Sequence, residues 1–367
     1  DAHRVLHLFA SPPEAGAPDP ADPGVRYFGP GIHRPGRITL ESGQTAYLAA
    51  GAVVYGSIHA RGASHLRVAG RGILDVSPYE RGEGGGAIRL SDCADVTIEG
   101  VTLRDPDVWA LSLFGCRGVE IADVKLIGLW RYNADGIDIC NSQDVRVRDC
   151  FVRSYDDSIA LKGLKGTSVS FDDRPVRGVR VSGCTIWNDW GRALEIGAET
   201  CAPEIADVVF EDCDIVRTTH IALDIQHGDR AAVHDIRFRD IRVEMDGPQP
   251  RPRLQTSPED RYEAAPEESY LPRLAVVEIV STHYSKDTER GTVRDVRFEG
   301  ISVTAPRMPE SVLRGWDGEH SVEGVAFADL SRNGEAVKDA ASARLTAGPH
   351  VGPIQLDRPP ANGAAGS

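Results

Sequence analysis

A short pattern that recurs along the chain restricts the folds available to it. Each copy is an Asp or Gly followed by apolar residues at alternate positions. The copies begin at Asp95, Gly118, Asp144, Gly178, Asp207, Asp235, Asp295 and Gly324. All but one of the gaps between starts are 23 to 34 residues, and the exception, 60 residues, leaves room for one degenerate copy and an insertion. Repeats of roughly 20–50 residues are typical of solenoids, propellers and arrays.

A second kind of short apolar alternation lies between these copies. It occupies residues 87–90, 110–113, 136–139, 158–161, 193–196, 222–225 and 276–279. Alternation with period two, β-branched residues and Gly, Asp and Asn punctuation indicate strands, and helical periodicity is nearly absent. Each unit holds two or three short strands and varies in length, unlike a propeller blade. The sequence therefore predicts an all-β fold, a right-handed parallel β-helix of about ten coils.

The repeats also predict the domain organisation. We expect an N-terminal extension over 1–26, a single β-helix domain over 27–335 and a C-terminal tail over 336–367. Segment 246–273 interrupts the pattern with six prolines and many charges. This composition predicts a long inserted surface loop, which would border a cleft.

The chain has 367 residues and a formal net charge of −14. An acidic chain is a poor partner for nucleic acid or an anionic membrane. It has no run of 18 apolar residues, so we expect no membrane span. Residues 1–10 lack the pattern of a signal peptide. We expect a secreted or periplasmic protein, with a cytoplasmic one left open, that is a monomer or a weak homo-oligomer.

The cysteines point to packing rather than to chemistry. The seven are Cys93, Cys116, Cys140, Cys150, Cys184, Cys201 and Cys213. An odd count does not describe a disulfide framework, and the absence of CxxC and of paired histidines argues against zinc. Three of them hold the same place in consecutive repeats, which predicts a ladder of small buried side chains. We therefore expect no metal and no cofactor.

Three acidic residues mark the candidate catalytic site. Asp135 precedes one apolar run, and Asp156 and Asp157 precede the next. If the two runs are neighbouring strands, the three carboxylates crowd one patch, and each raises the pKa of the others. A turn role explains Asp144 or Asp207 well, because Asp favours strand ends. It explains two adjacent acids stacked on a third poorly, so we expect catalysis.

With the fold and the acids in view, the chain resembles the polygalacturonase family of glycoside hydrolases, family 28, over roughly residues 27–305. Asn-Ala-Asp-Gly at 133–136 is similar to that family's Asn-Thr-Asp-Gly motif. Asp-Asp at 156–157 is similar to its paired aspartates, and Trp-Gly-Arg-Ala at 190–193 to its Gly-His-Gly strand. The segments at 27–31 and 42–45 are similar to its N-terminal region. The resemblance implies a pectin-lyase-like solenoid and a glycoside hydrolase that degrades polysaccharides.

The resemblance also implies roles for the acids. Asp156 would be the general acid, Asp135 and Asp157 would be the bases that hold the water, and the reaction would invert the anomeric centre. Strand spacing alone, about 4.8 Å, falls below the ~6.5–9.5 Å separation usual for inversion. The stereochemistry therefore rests on the resemblance.

Two departures from the family pattern concern the substrate. Arg192 stands where the family has histidine, and Asp-Ile-Gln at 224–226 stands where the family has Arg-Ile-Lys, which grips a galacturonate carboxylate. Loss of two cations disfavours a uronate at that place. We expect a neutral glycan or a branched pectic one, unless Lys162, Arg192 or Arg230 supplies the missing charge.

Further residues are candidates for contact with the sugar. They are Asn133, Lys162, Arg192, Glu195, Asp224, Gln226, His220, His227, Trp109 and Trp190, with His283 and Tyr284 expected near the product side. Outward polar side chains on one strand face, together with aromatic platforms, are typical of sugar grooves. Two other functions remain open from sequence: a polysaccharide lyase on the same architecture, and a carbohydrate-binding β-helix without activity.

Overall fold

A computed structural model describes residues 5–11, 13–14, 16–165, 174–245, 247 and 270–357. Within these residues the chain forms 33 β-strands, and it contains no helix that is long and apolar enough to cross a membrane. The strands form three rows, which we call faces 1, 2 and 3. Neighbouring strands within a row run parallel and come from successive coils, apart from one antiparallel pair in face 3.

Face 1 is a sheet of twelve strands. Its strands are β1 (Val25–Phe28), β3 (Thr45–Leu48), β5 (Ser64–Gly70), β8 (Ala94–Glu99), β11 (Arg117–Ala122), β14 (Gln143–Arg148), β17 (Val176–Ser182), β20 (Glu204–Glu211), β23 (Ala232–Arg239), β26 (Thr292–Glu299), β29 (Val322–Ala328) and β33 (Gln355–Asp357). Every copy of the sequence repeat starts at the second, third or fourth residue of one of these strands.

Face 2 carries the second kind of apolar alternation. Its strands are β2 (Gly31–Thr39), β4 (Ala52–Arg61), β7 (Ile88–Ser91), β10 (Leu111–Phe114), β13 (Ile137–Cys140), β16 (Ile159–Gly163), β19 (Arg192–Thr200), β22 (Ile221–His227), β25 (Arg273–Ile279), β28 (Ser311–Arg314) and β32 (Leu345–Ala347).

Face 3 is built from shorter strands. They are β6 (Ile73–Asp75), β9 (Thr102–Arg104), β12 (Lys125–Ile127), β15 (Phe151–Ser154), β18 (Thr185–Asn188), β21 (Asp214–Arg217), β24 (Arg242–Glu244), β27 (Ser302–Thr304), β30 (Ser331–Arg332) and β31 (Glu335–Ala336). The pair β30–β31 is antiparallel. The three faces together make a right-handed parallel β-helix, which confirms the fold predicted from the repeats.

The first residue of the repeat has a conformational reason to be Asp or Gly. At all eight starting positions the backbone φ lies between 52° and 68°, in the left-handed region. Most side chains pay a steric penalty there, whereas Gly and, with local hydrogen bonding, Asp and Asn do not. The repeat therefore marks the residue near the start of each of these strands at which the backbone adopts the left-handed conformation.

The interior is a stack of like side chains. Val, Ile and Leu of all three faces fill one continuous core. Phe210, Phe238, Phe298 and Phe327 form a column with ring centroids 5.0, 5.0 and 4.5 Å apart. All seven cysteines are buried and none forms a disulfide, as expected for small packed side chains.

The ends of the solenoid differ from the sequence-based boundaries. Strands β32 and β33 pair in parallel with β28 and β29, so the coils continue beyond residue 335 into part of the expected tail. The N-terminal extension lies along the solenoid, where Tyr47 donates a hydrogen bond to Glu14 at 2.8 Å and Lys125 donates one to Ser11 at 2.8 Å. The expected insertion at 246–273 lies outside the described residues, apart from Gly247 and 270–273.

Candidate active site

Face 2 carries a cleft at strands β13, β16 and β19. Asp135 and Asp157 occupy the same place in successive coils, since the Gly136 amide donates to the Asp157 carbonyl at 2.8 Å. This is the stacking that the sequence predicted for the acids. The cleft is lined by Trp109, Asn133, Asp135, Asp156, Asp157, Lys162, Arg192, Glu195, Ala198, Glu199 and Tyr284.

Gly191 allows the next coil to pass close to the two adjacent aspartates. A Cβ at this position would lie 2.6 Å from Asp157 Oδ1 and 2.7 Å from Asp156 Oδ1. Real Cβ atoms do not approach oxygen so closely without displacement of one of them. The absence of a side chain at 191 therefore lets the Arg192 amide reach Asp157 Oδ1, to which it donates at 3.0 Å.

Lys162 is buried among the acids and joins three of them. Its Nζ lies 3.1 Å from Asp135 Oδ2, 3.3 Å from Asp138 Oδ1 and 3.7 Å from Asp157 Oδ2. The same ammonium group sits 4.4 Å from the centre of the Trp109 ring, a cation–π distance. Burial acts to lower the pKa of Lys162, but the surrounding carboxylates outweigh it and raise that pKa well above the ordinary value. Lys162 is therefore a fixed positive charge.

Arg192 plays the corresponding part on the other side of Asp157. Its Nε lies 3.0 Å from Asp224 Oδ2 and 3.6 Å from Glu195 Oε1, and its Nη1 lies 3.7 Å from Asp157 Oδ1. Asp224 and Glu195 are fully buried. The guanidinium is thus shared among three carboxyl groups, each from a different coil.

The two adjacent aspartates are pushed in opposite directions. Burial raises the pKa of Asp156 to about 7, and the negative charge of Asp157 adds to the rise. Burial acts the same way on Asp157, but the positive charges of Arg192 and Lys162 overcome it and lower its pKa to about 2. At pH 6 a protonated carboxyl and a carboxylate therefore stand side by side in the cleft.

Three further buried acids, Asp135, Asp138 and Glu195, have raised pKa values. Burial raises the pKa of Asp135 well above the ordinary value, and it raises the pKa of Asp138 to about 7, with Lys162 opposing both shifts. Burial and the charge of Asp157 raise the pKa of Glu195 well above its ordinary range. The neighbouring Glu195 carboxyl group further lowers the pKa of Asp157.

Several residues that the sequence analysis assigned to sugar contact lie elsewhere. Trp190 belongs to the core and stacks on Tyr155, with ring centroids 6.2 Å apart. His227 is fully buried, and its Nδ1 is hydrogen-bonded to Thr200 Oγ1 at 2.8 Å. Asp224 lies beneath Arg192 rather than facing a ligand. These three expectations are corrected, because strand alternation alone does not show which outward side chains the next loop covers.

The other expected residues remain near the cleft. Asn133 lines it with φ of 58°, and its Oδ1 accepts a hydrogen bond from Arg81. His220 is half-buried, and burial together with the Arg192 charge lowers its pKa to about 3. Gln226 is half-buried on β22, paired with Gly197 and Glu278.

Two cleft residues, Ala198 and Glu199, were missed by the sequence analysis. They lie near the end of β19, whose nine residues extend past a register shift between Leu161 and Gly163 on β16. The short repeat predicts only the first half of this strand. Tyr284, expected near the product side, lines the cleft, and burial raises its pKa to about 12.

A group of potential metal ligands lies outside the cleft. Cys201, Asp229 and Asp287 bring ligand atoms within 4.8 Å of one another. However, Asp229 accepts hydrogen bonds from the amides of Thr200, Lys286 and Asp287. Asp287 is paired with Lys165 at 2.6 Å and Arg230 at 2.9 Å. The carboxylates are already committed to N–H donors and cations, so the cluster is a structural one.

Comparison with known proteins agrees with this geometry. The family model of glycosyl hydrolases family 28 matches residues 53–248, more than half of the chain and all of the acid cluster. The chain belongs to glycosyl hydrolases family 28. This confirms the resemblance that the motifs at 133–136, 156–157 and 190–193 suggested.

Individual relatives are distant. An endopolygalacturonase of Emericella nidulans is 26% identical over 161 residues, which cover 42% of this chain and 39% of the relative. A protein of Aspergillus oryzae named "Probable rhamnogalacturonase A" is 26% identical over 125 residues, 34% of this chain and 24% of the relative. The matches thus span well under half the length of these relatives.

A solved structure of the family shares the fold. The family 28 exopolygalacturonase of Yersinia enterocolitica superposes with a TM-score of 0.65 at 14% identity. The superposition covers 90% of this chain and 71% of that one. At this identity the likeness concerns the β-helix alone.

Proposed function

We propose that this protein is a glycoside hydrolase in which Asp156 is the general acid. The observation that carries the proposal is the adjacent pair in the cleft, with a pKa of about 7 for Asp156 and of about 2 for Asp157. Hydrolysis of a glycosidic bond needs one carboxylic acid to protonate the leaving oxygen and one carboxylate to activate water. Membership of family 28 supports the same reaction class.

In the proposed reaction, Asp156 gives its proton to the glycosidic oxygen as the bond to the anomeric carbon breaks. A water on the opposite side of the sugar ring loses a proton to Asp157 as it attacks, and the product has inverted configuration. Asp135 stands beside Asp157 on the same Lys162 ammonium group and helps to orient the water. Its raised pKa makes Asp157 the better candidate for the base than Asp135.

Lys162 and Arg192 keep this arrangement in place. Each spans two or more carboxyl groups from different coils, which fixes their separation and keeps Asp157 ionised. We assign both to positioning rather than to direct contact with the substrate. Trp109, Asn133 and Tyr284 are the further lining residues that we propose for sugar contact, whereas the fully buried Glu195 pairs with Arg192.

The charges next to Asp156 favour a neutral sugar at the point of cleavage. Three carboxyl groups lie within 3.7 Å of Lys162 and three within 3.7 Å of Arg192, so protein groups compete with a ligand carboxylate for each cation. The names of the relatives concern pectic polymers. We therefore propose a pectic glycan that is cleaved beside a neutral residue, in preference to plain polygalacturonate.

The test is a screen of neutral, branched pectic and acidic polysaccharides with the wild type and with Asp156→Asn. We expect new reducing ends with the wild type and a loss of at least about 10²-fold in the variant, the usual scale of general-acid catalysis. Asp144→Asn is the matched control, because Asp144 is exposed on β14 of face 1 with φ of 54° and Asn tolerates that conformation. This variant should retain full activity.

Each contrary result has its own meaning. Equal activity in the wild type and Asp156→Asn would contradict the proposed acid. A product that absorbs at 235 nm and depends on calcium would indicate a lyase. Binding without any new reducing end, across the panel, would indicate a carbohydrate-binding protein without activity.

A further inference from the structure

A row of outward positions runs along face 2 from the acids toward the N-terminal coils. Strand pairing aligns Asp138 with Ser112, Ser112 with Arg89 and Arg89 with His59. Successive strands lie about 4.8 Å apart, so Arg89 is about 10 Å from the acids along the row. Arg37 lies on β2, one coil beyond β4, on the same side of the face.

Arg89 has no acidic partner among the described residues. Its guanidinium lies 4.6 Å from the centre of the Phe114 ring, and the side chain is half-buried. Burial lowers the pKa of Arg89, and the positive charge of Arg37 lowers it further. Arg37 donates a hydrogen bond to the Glu83 carbonyl at 3.2 Å and likewise makes no ion pair with a described residue. Arg37 is exposed to solvent, whereas Arg89 is half-buried. The two like charges repel each other, and a ligand carboxylate would serve both as a counter-ion.

The nearby groups do not supply that counter-ion. Asp107 is buried and accepts hydrogen bonds from the amides of Gly84, Gly85 and Gly86 at 2.8, 3.1 and 2.9 Å. His59 is hydrogen-bonded to the Gly84 carbonyl at 3.0 Å, and burial with the Arg37 charge lowers its pKa to about 4. His59 is therefore neutral near pH 7, and the net charge of this patch is positive.

Aromatic rings connect the patch to the acid cluster. Trp109, which lines the cleft and lies under Lys162, stacks on Phe114 with ring centroids 6.2 Å apart. Phe114 in turn lies under Arg89. An extended glycan bound over Asp156 and Trp109 would therefore continue toward Arg89 on the same face.

We propose that Arg37 and Arg89 form a subsite for the carboxylate of a uronic acid residue, placed along the glycan from the neutral residue at which Asp156 cleaves. This inference rests on the proposed function and adds a substrate class to it, a polymer that contains both neutral and uronic sugars. A guanidinium group binds a carboxylate through two parallel hydrogen bonds, which suits Arg better than Lys at such a subsite.

The experiment measures binding with the full chain carrying Asp156→Asn, in which cleavage should be slower by at least about 10²-fold. The two probes are an oligosaccharide of alternating neutral and uronic sugars and its carboxyl-reduced counterpart, compared by calorimetric titration. We expect the acidic probe to bind about tenfold or more tightly, because the guanidinium groups would donate charge-assisted hydrogen bonds to its carboxylate. Adding Arg89→Gln or Arg37→Gln should weaken the acidic probe about tenfold and leave the reduced probe unchanged.

Arg146→Gln is the matched control, because Arg146 is exposed on β14 of face 1. Melting temperatures of all variants show whether each is folded. Equal affinity for the two probes, an equal effect of Arg89→Gln on both, or binding of neither probe would overturn the subsite. The hydrolysis assay with Asp156→Asn is independent of these results, so failure of the subsite leaves the proposed reaction standing or falling on its own data.

Discussion

Asp156 and Asp157 are neighbours in sequence, yet different surroundings give them opposite protonation states. Burial raises the pKa of both carboxyl groups. Only Asp157 lies against Arg192 and Lys162, at 3.7 Å from each. At the scale of the residue, therefore, the proposed division between acid and base comes from where two cations are placed.

Lys162 offers a direct test of this division. Replacement by Met keeps the approximate size and removes the charge, so the pKa of Asp157 should rise and the acidic limb of the kcat/KM profile should move to higher pH. Lys162→Arg keeps the charge and should leave that limb near its original place. The measurement is kcat/KM against pH for the three proteins.

A purely structural role for Lys162 would give a different pattern. Both substitutions would then lower the melting temperature and kcat together, without moving the limb. That outcome would contradict the positioning role.

The sequence predicted much at this scale, but not the depth of each side chain. Asp135, Asp156 and Asp157 were found because adjacent acids have no simple turn role. Asp224 was expected to face the ligand, but it is covered by Arg192, and Trp190 was expected at the surface but packs on Tyr155. The alternation distinguishes side chains that face the core from side chains that face outward. Whether an outward side chain is covered by the next coil depends on three-dimensional packing.

At the scale of the element, the left-handed residue near the start of each of the eight repeat strands of face 1 explains the repeat. The left-handed conformation at that residue makes Asp or Gly nearly obligatory, so the repeat could be read directly from the sequence. The short repeat did not predict the second half of the nine-residue strand β19, which includes Glu199. Strands β32 and β33 were missed for the opposite reason, because three residues each are too few to show the alternation.

Asp295 tests the conformational account of the repeat. It is exposed at the start of the β26 pattern with φ of 55°, so Asp295→Val should lower the free energy of unfolding by about 1–2 kcal/mol. Asp295→Asn should change it little, because Asn tolerates this conformation. Urea denaturation midpoints of the three proteins provide the comparison, and equal midpoints for Val and Asn would show that the left-handed conformation does not select the residue.

At the scale of the whole molecule, the β-helix brings short motifs that are far apart in the sequence onto one surface. Residues from 109 to 284 meet in a single cleft because each coil returns the chain to face 2. The fold and the family were predictable since both leave local signals. The substrate was less predictable, because it depends on which cations already lie against protein carboxyl groups. Only the structure shows that Lys162 and Arg192 do so and that Arg37 and Arg89 make no such contact with a described residue.

The central claim is that Asp156 donates a proton, and the pH dependence of hydrolysis tests it most directly. A general acid must be protonated, so kcat/KM of the wild type should fall about tenfold per pH unit above about pH 7, the pKa of Asp156. The residual activity of Asp156→Asn should lack this basic limb. A basic limb of the same midpoint in both proteins would contradict the assignment, because the titrating group would then be another residue.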